Sequence, residues 1–162
     1  APFSELQVYL VNNPTGALLY SEDAPLLSIP IVNGTANATD LAINKIGQGY
    51  QVRYTAIMRK VSGEEYSVFY DSTPFDVSLG DPDALTVQRP IGGAFSGGLP
   101  FYEQPIIQLV DRGGNVYDQE SSKVVTAELL VSPTGFDLTG LKTSAFFRGI
   151  ARFRSLKLVQ VG

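Results

Sequence analysis

The chain has 162 residues, 44% of them hydrophobic and 17% charged, which is the balance of a folded domain and not of a disordered tail. Its net charge of −4 argues against a nucleic acid partner, because phosphate binding needs concentrated Lys and Arg. The lack of Cys and His excludes disulfides, thiol nucleophiles and imidazole bases, and no apolar run approaches the roughly 20 residues of a membrane span. We expect no cofactor, no metal site and no catalytic residue.

Short strands separated by turn residues make up most of the chain. Alternating, β-branched or aromatic stretches predict strands at 5–11, 50–58, 65–70, 75–79, 84–88, 105–111, 123–131 and 155–161. Between them lie clusters of Gly, Pro, Asn and Asp, which supply positive φ, preset φ or cap a turn with their own side chains. The sequence therefore predicts an all-β fold, most simply a β-sandwich.

The clearest strand is 50–58, where side chains alternate with a period of two. Tyr50, Val52 and Tyr54 begin the face that we expect to point inward, and Ala56 and Met58 continue it. The opposite face is mostly polar and includes arginine. This pattern is typical of a half-buried antiparallel strand.

Two motifs occur twice, in the same order. The segment "GTANATDLAINKIG" (34–47) matches "GIARFRSLKLVQVG" (149–162) at a shift of 115 residues, with four identities in fourteen positions. Upstream, "VNNPTG" (11–16) matches "VSPTG" (131–135) at a shift of about 119. The shared order favours an internal repeat over chance reuse of turn residues.

The stretch "PIIQLVDRGGNVYD" (105–118), followed by a strand and by "GIARFRSLKLVQVG", resembles the tandem immunoglobulin-like repeats of large extracellular proteins. These include invasin-type adhesins and the surface filament proteins of ciliary and flagellar hairs. The segment "GTANATDLAINKIGQGYQVRY" (34–54) is similar to the same pattern. The resemblance implies immunoglobulin-like β-sandwich units, an extracellular or cell-surface location, and a role in a stalk or filament.

We expect two partial immunoglobulin-like units in tandem: 1–90, lacking its opening strands, and 91–162, lacking its closing strands. The first copy continues after Gly47 into the strand "GQGYQVRYTA", whereas the second copy stops at Gly162. Unpaired strand edges expose N–H and C=O groups, which folded proteins cover or pair. Either the chain is a slice of a longer polypeptide, or neighbouring copies or repeats of the same protein supply the missing strands head to tail.

The two ends of the chain carry opposite charge, which would orient a head-to-tail assembly. Residues 1–44 contain acids but no Lys or Arg, and residues 138–162 contain Lys and Arg but no acid. The alternative is that the basic residues form the solvated face of a strand whose other face is core, with Ala151 and Phe153 inward. The candidate assembly residues are Glu5, Glu22, Asp23, Asp40, Arg148, Arg152, Arg154 and Lys157.

Two sequons begin at Asn33 and Asn37 and would accept N-linked glycans in a secretory pathway. Asn37 stands where the second copy has Arg152. We expect Asn37 to face solvent because its neighbours Ala36 and Ala38 are expected to face inward. Asn37 is therefore the better expected acceptor.

Acidic residues cluster around the presumed junction between the units. The four are Asp71, Asp76, Asp81 and Asp83. Calcium is one use of such a linker, but the spacing lacks the EF-hand pattern and a solvated turn is favoured. A carboxylate-based enzyme would need two acids facing each other across a cleft, and nothing in the sequence pairs these.

Two glycine-rich segments are expected to be structural. The segment 91–98 lacks the Lys-Ser/Thr of a phosphate loop and is expected to be a flexible connection between repeats. In "DRGGN" (111–115), we expect Asp111 and Asn115 to form a hydrogen-bonded hairpin turn, with Gly113 and Gly114 at positive φ.

The leading prediction is a non-enzymatic structural module of an extracellular filament, stalk or surface fibre, which would assemble by β-strand complementation. The alternative is a carbohydrate-binding or accessory β-sandwich of a secreted enzyme or adhesin, which would need exposed aromatic side chains. The chain has no Trp, and Tyr50, Tyr54 and Phe153 are spaced like core residues.

Overall fold

The computed structural model describes residues 5–21, 27–93, 97–132 and 135–160. Within these ranges all regular elements are β-strands, which confirms the all-β prediction. The chain divides into two compact units, Ala1–Leu79 and Gly80–Gly162. The strands are β1 (Glu5–Asn12), β2 (Leu19–Tyr20), β3 (Ser28–Pro30), β4 (Ala42–Ile43), β5 (Gly47–Arg59), β6 (Glu65–Asp71), β7 (Phe75–Val77), β8 (Pro82–Arg89), β9 (Ile106–Asp111), β10 (Val124–Thr126), β11 (Phe136–Thr139), β12 (Thr143–Phe147), β13 (Ile150–Arg152) and β14 (Lys157–Gln160).

The first unit is built on one antiparallel sheet with the strand order β3-β1-β5-β6, in which β7 also pairs with β5. β2 and β4 form a separate two-stranded ribbon. The core lies where β1, β3 and β5 turn their apolar faces to the same side, with Val8, Ile29 and Val52 buried together. The predicted alternation of β5 is present, since Tyr50 and Val52 are buried and Arg59 is exposed.

Tyr50 fixes the start of β5 to the preceding turns. Its ring is fully buried, and its hydroxyl donates to the carbonyl oxygen of Lys45 over 3.0 Å. The same hydroxyl hydrogen-bonds to the side chain of Thr15 in the "NNPTG" turn. A buried phenol needs such partners, so the ring and this turn stabilise each other.

The second unit has a sheet with the order β10-β12-β13-β9-β8 and a separate β11–β14 ribbon. Its core contains Phe101, Leu138, Phe153 and Leu156. Leu156 lies outside the strands, so its buried backbone groups need other partners. The side-chain amide of Gln104 supplies them: its Oε1 accepts from the Leu156 N–H over 2.8 Å, and its Nε2 donates to the Leu156 carbonyl over 3.0 Å.

The boundary between the units differs from the one expected after residue 90. β8 pairs along its length with β9, from Pro82↔Asp111 to Arg89↔Ile106, and so belongs to the second unit. The segment 91–98 therefore joins two strands of one sheet and is not a connection between repeats. Gly92 pairs with Glu103, while residues 94–96 lie outside the described ranges.

Most strands expected from the sequence are present, with differences at their ends. The strand expected at 123–131 is limited to β10, Val124–Thr126. The strand expected at 155–161 is β14, Lys157–Gln160, and residues 161–162 lie outside the described ranges. The sequence does not predict β2, β3, β4, β11 and β12, because each is short or lacks a clear alternation. β13 lies within the strand expected as the alternative explanation of the basic residues.

The expected turn at 111–115 is present, with one correction. Asp111 is buried and accepts hydrogen bonds from the backbone N–H of Asn115 over 2.8 Å and from the Asn115 side chain over 3.0 Å. The N–H of Gly80 also donates to it, over 3.1 Å. Of the two glycines, only Gly114 has a positive φ, of 82°.

Candidate assembly edges

The two units contain the same strand pairing at the offsets that the repeated motifs indicate. In the first unit β1 pairs with β3 through Leu6↔Ile29, and in the second β10 pairs with β12 through Val125↔Ser144. Leu6 and Val125 are 119 positions apart, and Ile29 and Ser144 are 115 apart. The neighbouring pairs of both ladders obey the same two offsets.

The ribbons repeat in the same way. β2 pairs with β4 through Leu19↔Ile43, and β11 pairs with β14 through Leu138↔Leu158. The offsets are again 119 and 115 residues. A slip of one residue would turn every side chain of a strand to the other face. Agreement in register between the two units is therefore not expected by chance.

A tight turn also occurs twice with the same backbone conformation. Asn33 and Gly34 have φ of 51° and 78°, and Arg148 and Gly149 have φ of 51° and 72°. Two successive residues with positive φ are typical of the type I′ hairpin turn. The residues that close the turns are Val32 with Thr35 in the first unit and Phe147 with Ile150 in the second.

The units differ in the strands that flank this shared framework. In the first unit β1 pairs on both sides, with β3 and β5. In the second unit β10 pairs only with β12, as far as the described residues show. Conversely, β13 pairs with β9 in the second unit. Residues 35–37, which correspond to β13 in the first unit, form no strand. Each unit therefore has an edge that is paired in the other.

Both sheets also end in a strand whose side chains are largely exposed. β6 pairs only with β5, and β8 pairs only with β9, within the described ranges. Such edges are templates for pairing with another chain unless they are blocked. Their exposed large apolar side chains are Tyr66, Val68, Phe69, Tyr70, Leu85 and Val87.

The acidic assembly candidates are engaged inside the first unit where they are described. The Ser28 hydroxyl donates to the Glu5 carboxylate over 2.8 Å, and the Ser21 hydroxyl donates to Asp40 over 2.6 Å. Glu22 and Asp23 lie outside the described residues.

The basic candidates fall mainly on one surface of the second unit. Arg148, Arg152 and Arg154 are exposed and line an open groove of about 900 Å³, together with the exposed ring of Phe147. Arg148 lies 3.6 Å from the carboxylate of Asp118. Arginines here alternate with the buried side chains at 151 and 153, as the sequence pattern indicated. The fourth candidate, Lys157, is half-buried in β14.

The sequon asparagines are both exposed. Asn33 lies in the left-handed turn, and Asn37 follows it. Ala36 is half-buried as expected, but Ala38 is exposed, so the expectation for Ala38 is wrong. The period of two behind that expectation holds only in an extended strand, and residues 36–38 do not form one.

Two of the four acids near the expected junction, Asp71 and Asp76, have separate partners. Asp71 forms a two-point ion pair with Arg53 at 2.6 and 2.7 Å, which lowers the pKa of Asp71 and raises that of Arg53. The guanidinium also lies 4.3 Å from the ring centre of Phe69. Asp76 accepts a hydrogen bond from the N–H of Gly49 over 2.9 Å. In the part of the chain that the structure describes, no three acidic side chains come together as a metal site.

Glu120 shapes the entry to β10, and sequence reasoning did not identify it. Its carboxylate accepts hydrogen bonds from the N–H of Lys123 over 2.8 Å, from the N–H of Ser122 over 2.7 Å and from the Ser122 hydroxyl over 2.8 Å. These bonds favour the charged form and lower the pKa of Glu120 to about 2. The only sequence signal is an acid two residues before a serine, which is common in turns.

Comparisons with protein-family models, with curated proteins and with solved structures find no match to this chain. Among the described residues there is no helix with the length and apolar character needed to cross a membrane.

Proposed function

We propose that the chain is a structural module of an extracellular or cell-surface filament, stalk or fibre, built from tandem immunoglobulin-like repeats. The observation that carries the proposal is the agreement in register between the units, where Leu6↔Ile29 and Val125↔Ser144 are related by the same offsets as the turn motifs. A chain of similar units spans distance in proportion to their number. A non-enzymatic spacer is the role that such a construction serves best.

Assembly through open strand edges is the second part of the proposal. β6, β8 and β10 each end a sheet within the described residues, and β6 and β8 carry exposed apolar side chains. Strand addition to such edges gives affinity through main-chain hydrogen bonds. The opposite charges of the chain ends favour a head-to-tail orientation, and glycans on Asn33 and Asn37 would cover the hairpin of the first unit.

Analytical ultracentrifugation with negative-stain electron microscopy tests this proposal. We expect concentration-dependent, elongated oligomers that dissociate as salt screens the charged ends. A chain that stays monomeric at high concentration would contradict assembly. Peptide mass mapping of native material tests the sequons, and two bare asparagines would remove the glycan part of the proposal.

A carbohydrate-binding role is the second candidate, and the groove of the second unit favours it. An exposed aromatic ring, Phe147, lies among Arg148, Arg152 and Arg154, a combination suited to a sugar bearing sulfate or carboxylate groups. Titration calorimetry with sulfated and neutral oligosaccharides tests it. Binding of the sulfated sugar that Arg152→Gln weakens would support this role, and no binding of either sugar would exclude it.

A further inference from the structure

β10 is shorter than its counterpart β1 in the first unit. The sequence predicts a strand over 123–131, but only Val124–Thr126 is extended and paired. Its counterpart β1 continues to Asn12, and beyond residue 8 the ladder partner that the structure describes is β5, through Tyr9↔Arg53 and Leu10↔Val52. At the offset of 119, residues 8–12 correspond to 127–131. The part of the strand that is missing is therefore the part that β5 holds in the first unit.

The backbone of β10 is already oriented for a second neighbour. The N–H of Ala127 donates to the Lys142 carbonyl over 2.8 Å, just as the N–H of Val8 donates to the Leu27 carbonyl over 3.0 Å. In an extended strand, successive N–H groups point to opposite sides. The N–H of Thr126, the last residue of β10, therefore points to the open side, where the first unit has β5. The N–H of Glu128 would point to the same side once the strand extends.

An apolar cavity lies beside this edge. It has a volume of about 400 Å³ and is predominantly apolar. Further along the chain, Leu130 is 92% and Val131 75% exposed. In the first unit the equivalent edge is covered, because Tyr54 and Val52 of β5 pack against the core. The residues around the cavity that matter here are Leu85, Val87, Ile107, Val125, Ala127 and Phe153.

We propose that residues 124–131 are the acceptor edge for an unpaired strand of the β5 type, with the pattern Gly-x-Gly-Tyr-x-Val-Arg-Tyr-Thr, supplied by another repeat of the same kind. The register of the first unit defines the complex. Applying Val8↔Tyr54 places the incoming tyrosine opposite the small Ala127 and next to the cavity. Binding extends β10 to residue 131. This inference rests on the proposed function and assigns its assembly to a specific edge.

The same register brings complementary side chains together on the outer face. Glu128 occupies the position of Tyr9, which pairs with Arg53 in the first unit. In the complex Glu128 would therefore lie opposite the arginine of the incoming strand, which is an opposite-charge pair. Thr126 occupies the position of Gln7, which pairs with Thr55. It would lie opposite the threonine of the incoming strand, another favourable cross-strand pair. A β5-type strand therefore matches this edge in backbone, core face and charge.

The test uses the full chain and a synthetic peptide with the sequence of residues 47–59. Hydrogen exchange should slow at the amides of Thr126, Glu128 and Leu130 by at least about tenfold at saturating peptide. Glu128→Pro removes an N–H that has no ladder partner in the free chain and should abolish this protection. Glu128→Gln keeps the N–H and should still bind.

A charge exchange tests the register itself. Glu128→Lys should lower the affinity of the chain for the peptide by up to about fivefold. A peptide carrying Arg53→Glu should restore the affinity for that variant. The inference would be overturned if the peptide bound without slowing exchange at the amides of residues 126–130, or if it only replaced β5 beside β1. It would also be overturned if the Glu128→Pro chain bound the peptide with normal affinity. Oligomers that form while 126–130 stay unprotected would overturn this inference but support the proposed assembly. Peptide protection in a chain that stays monomeric would support the acceptor edge and contradict the self-assembly.

Discussion

The repeated hairpin turn provides a matched pair of substitutions, Gly34→Ala and Gly149→Ala. Both glycines have a left-handed backbone, with φ of 78° and 72°. A Cβ at Gly34 would meet no atom within 4 Å, whereas a Cβ at Gly149 would overlap the carbonyl group of Tyr117. The two substitutions therefore introduce the same backbone strain but differ in steric conflict.

The expected losses in unfolding free energy follow from the surroundings of each glycine. A non-glycine residue in the left-handed region costs about 1–2 kcal/mol, and this is the whole expected effect at Gly34. At Gly149 the conflict must also displace two hydrogen bonds, from its N–H to the Glu120 carbonyl at 2.8 Å and from the Leu109 N–H to its carbonyl at 2.9 Å. At about 1 kcal/mol each, they bring the total to about 3–4 kcal/mol.

Hydrogen exchange during urea unfolding measures the two units separately, which a single melting temperature would not. The amide of Val8 reports the first unit and that of Phe153, which donates to the Pro105 carbonyl over 3.1 Å, reports the second. Asn tolerates positive φ, so Gly34→Asn should recover most of the loss while Gly149→Asn should not. Equal losses for the two alanine variants, or recovery by Asn at both sites, would refute the steric argument.

Three further predictions concern single side chains. Tyr50→Phe keeps the ring but removes the hydroxyl that bonds the Thr15 side chain, and urea unfolding should show the first unit losing about 1–2 kcal/mol; an unchanged midpoint would contradict this. Gln104→Leu leaves the buried Leu156 N–H without its acceptor and should destabilise the second unit by about 2–3 kcal/mol in urea unfolding, and an unchanged midpoint would contradict this. Gln104→Glu should lose at least as much, because it sets a buried carboxylate oxygen against the Phe101 and Leu156 carbonyls. The Glu120 pKa is lowered from 4.5 to about 2 on folding, so its stabilising effect is present above pH 4.5 and is lost as the pH falls towards 2. Thermal melts of Glu120→Gln should show a weaker pH dependence over that interval, and parallel curves would exclude the carboxylate as the cause.

Turn positions and the buried face of β5 could be predicted from sequence because their signals are local. Gly34 and Gly149 recur where the backbone needs positive φ, and Gly16 and Gly135, which end the two "PTG" motifs, also have positive φ. The alternation of β5 likewise predicted Tyr50 and Val52 as buried residues. Turn chemistry and periodicity do not depend on distant partners, and the predicted burial of Tyr50 and Val52 is confirmed.

Strand length could not be predicted, because it depends on a neighbour. Residues 127–131 have the composition of a strand but lack a described partner on the open side, so β10 stops at Thr126. The wrong expectation for Ala38 has a related cause, since no strand in the described part of the first unit pairs with residues 35–37 as β9 pairs with β13. The hydrogen bonds of the acidic candidates Glu5 and Asp40 could not be predicted either, because their serine donors are distant in the sequence.

The state of β5 determines which strand can complete the second unit. In the first unit β5 pairs with β1, β6 and β7, and Tyr50 at its start is fully buried. An identical copy could donate β5 only by disrupting its own first unit, and that exchange would be limited by the rate of unfolding. A repeat that presents an unpaired strand faces no such barrier. The acceptor edge at 124–131 therefore favours an unpaired strand over exchange between intact copies.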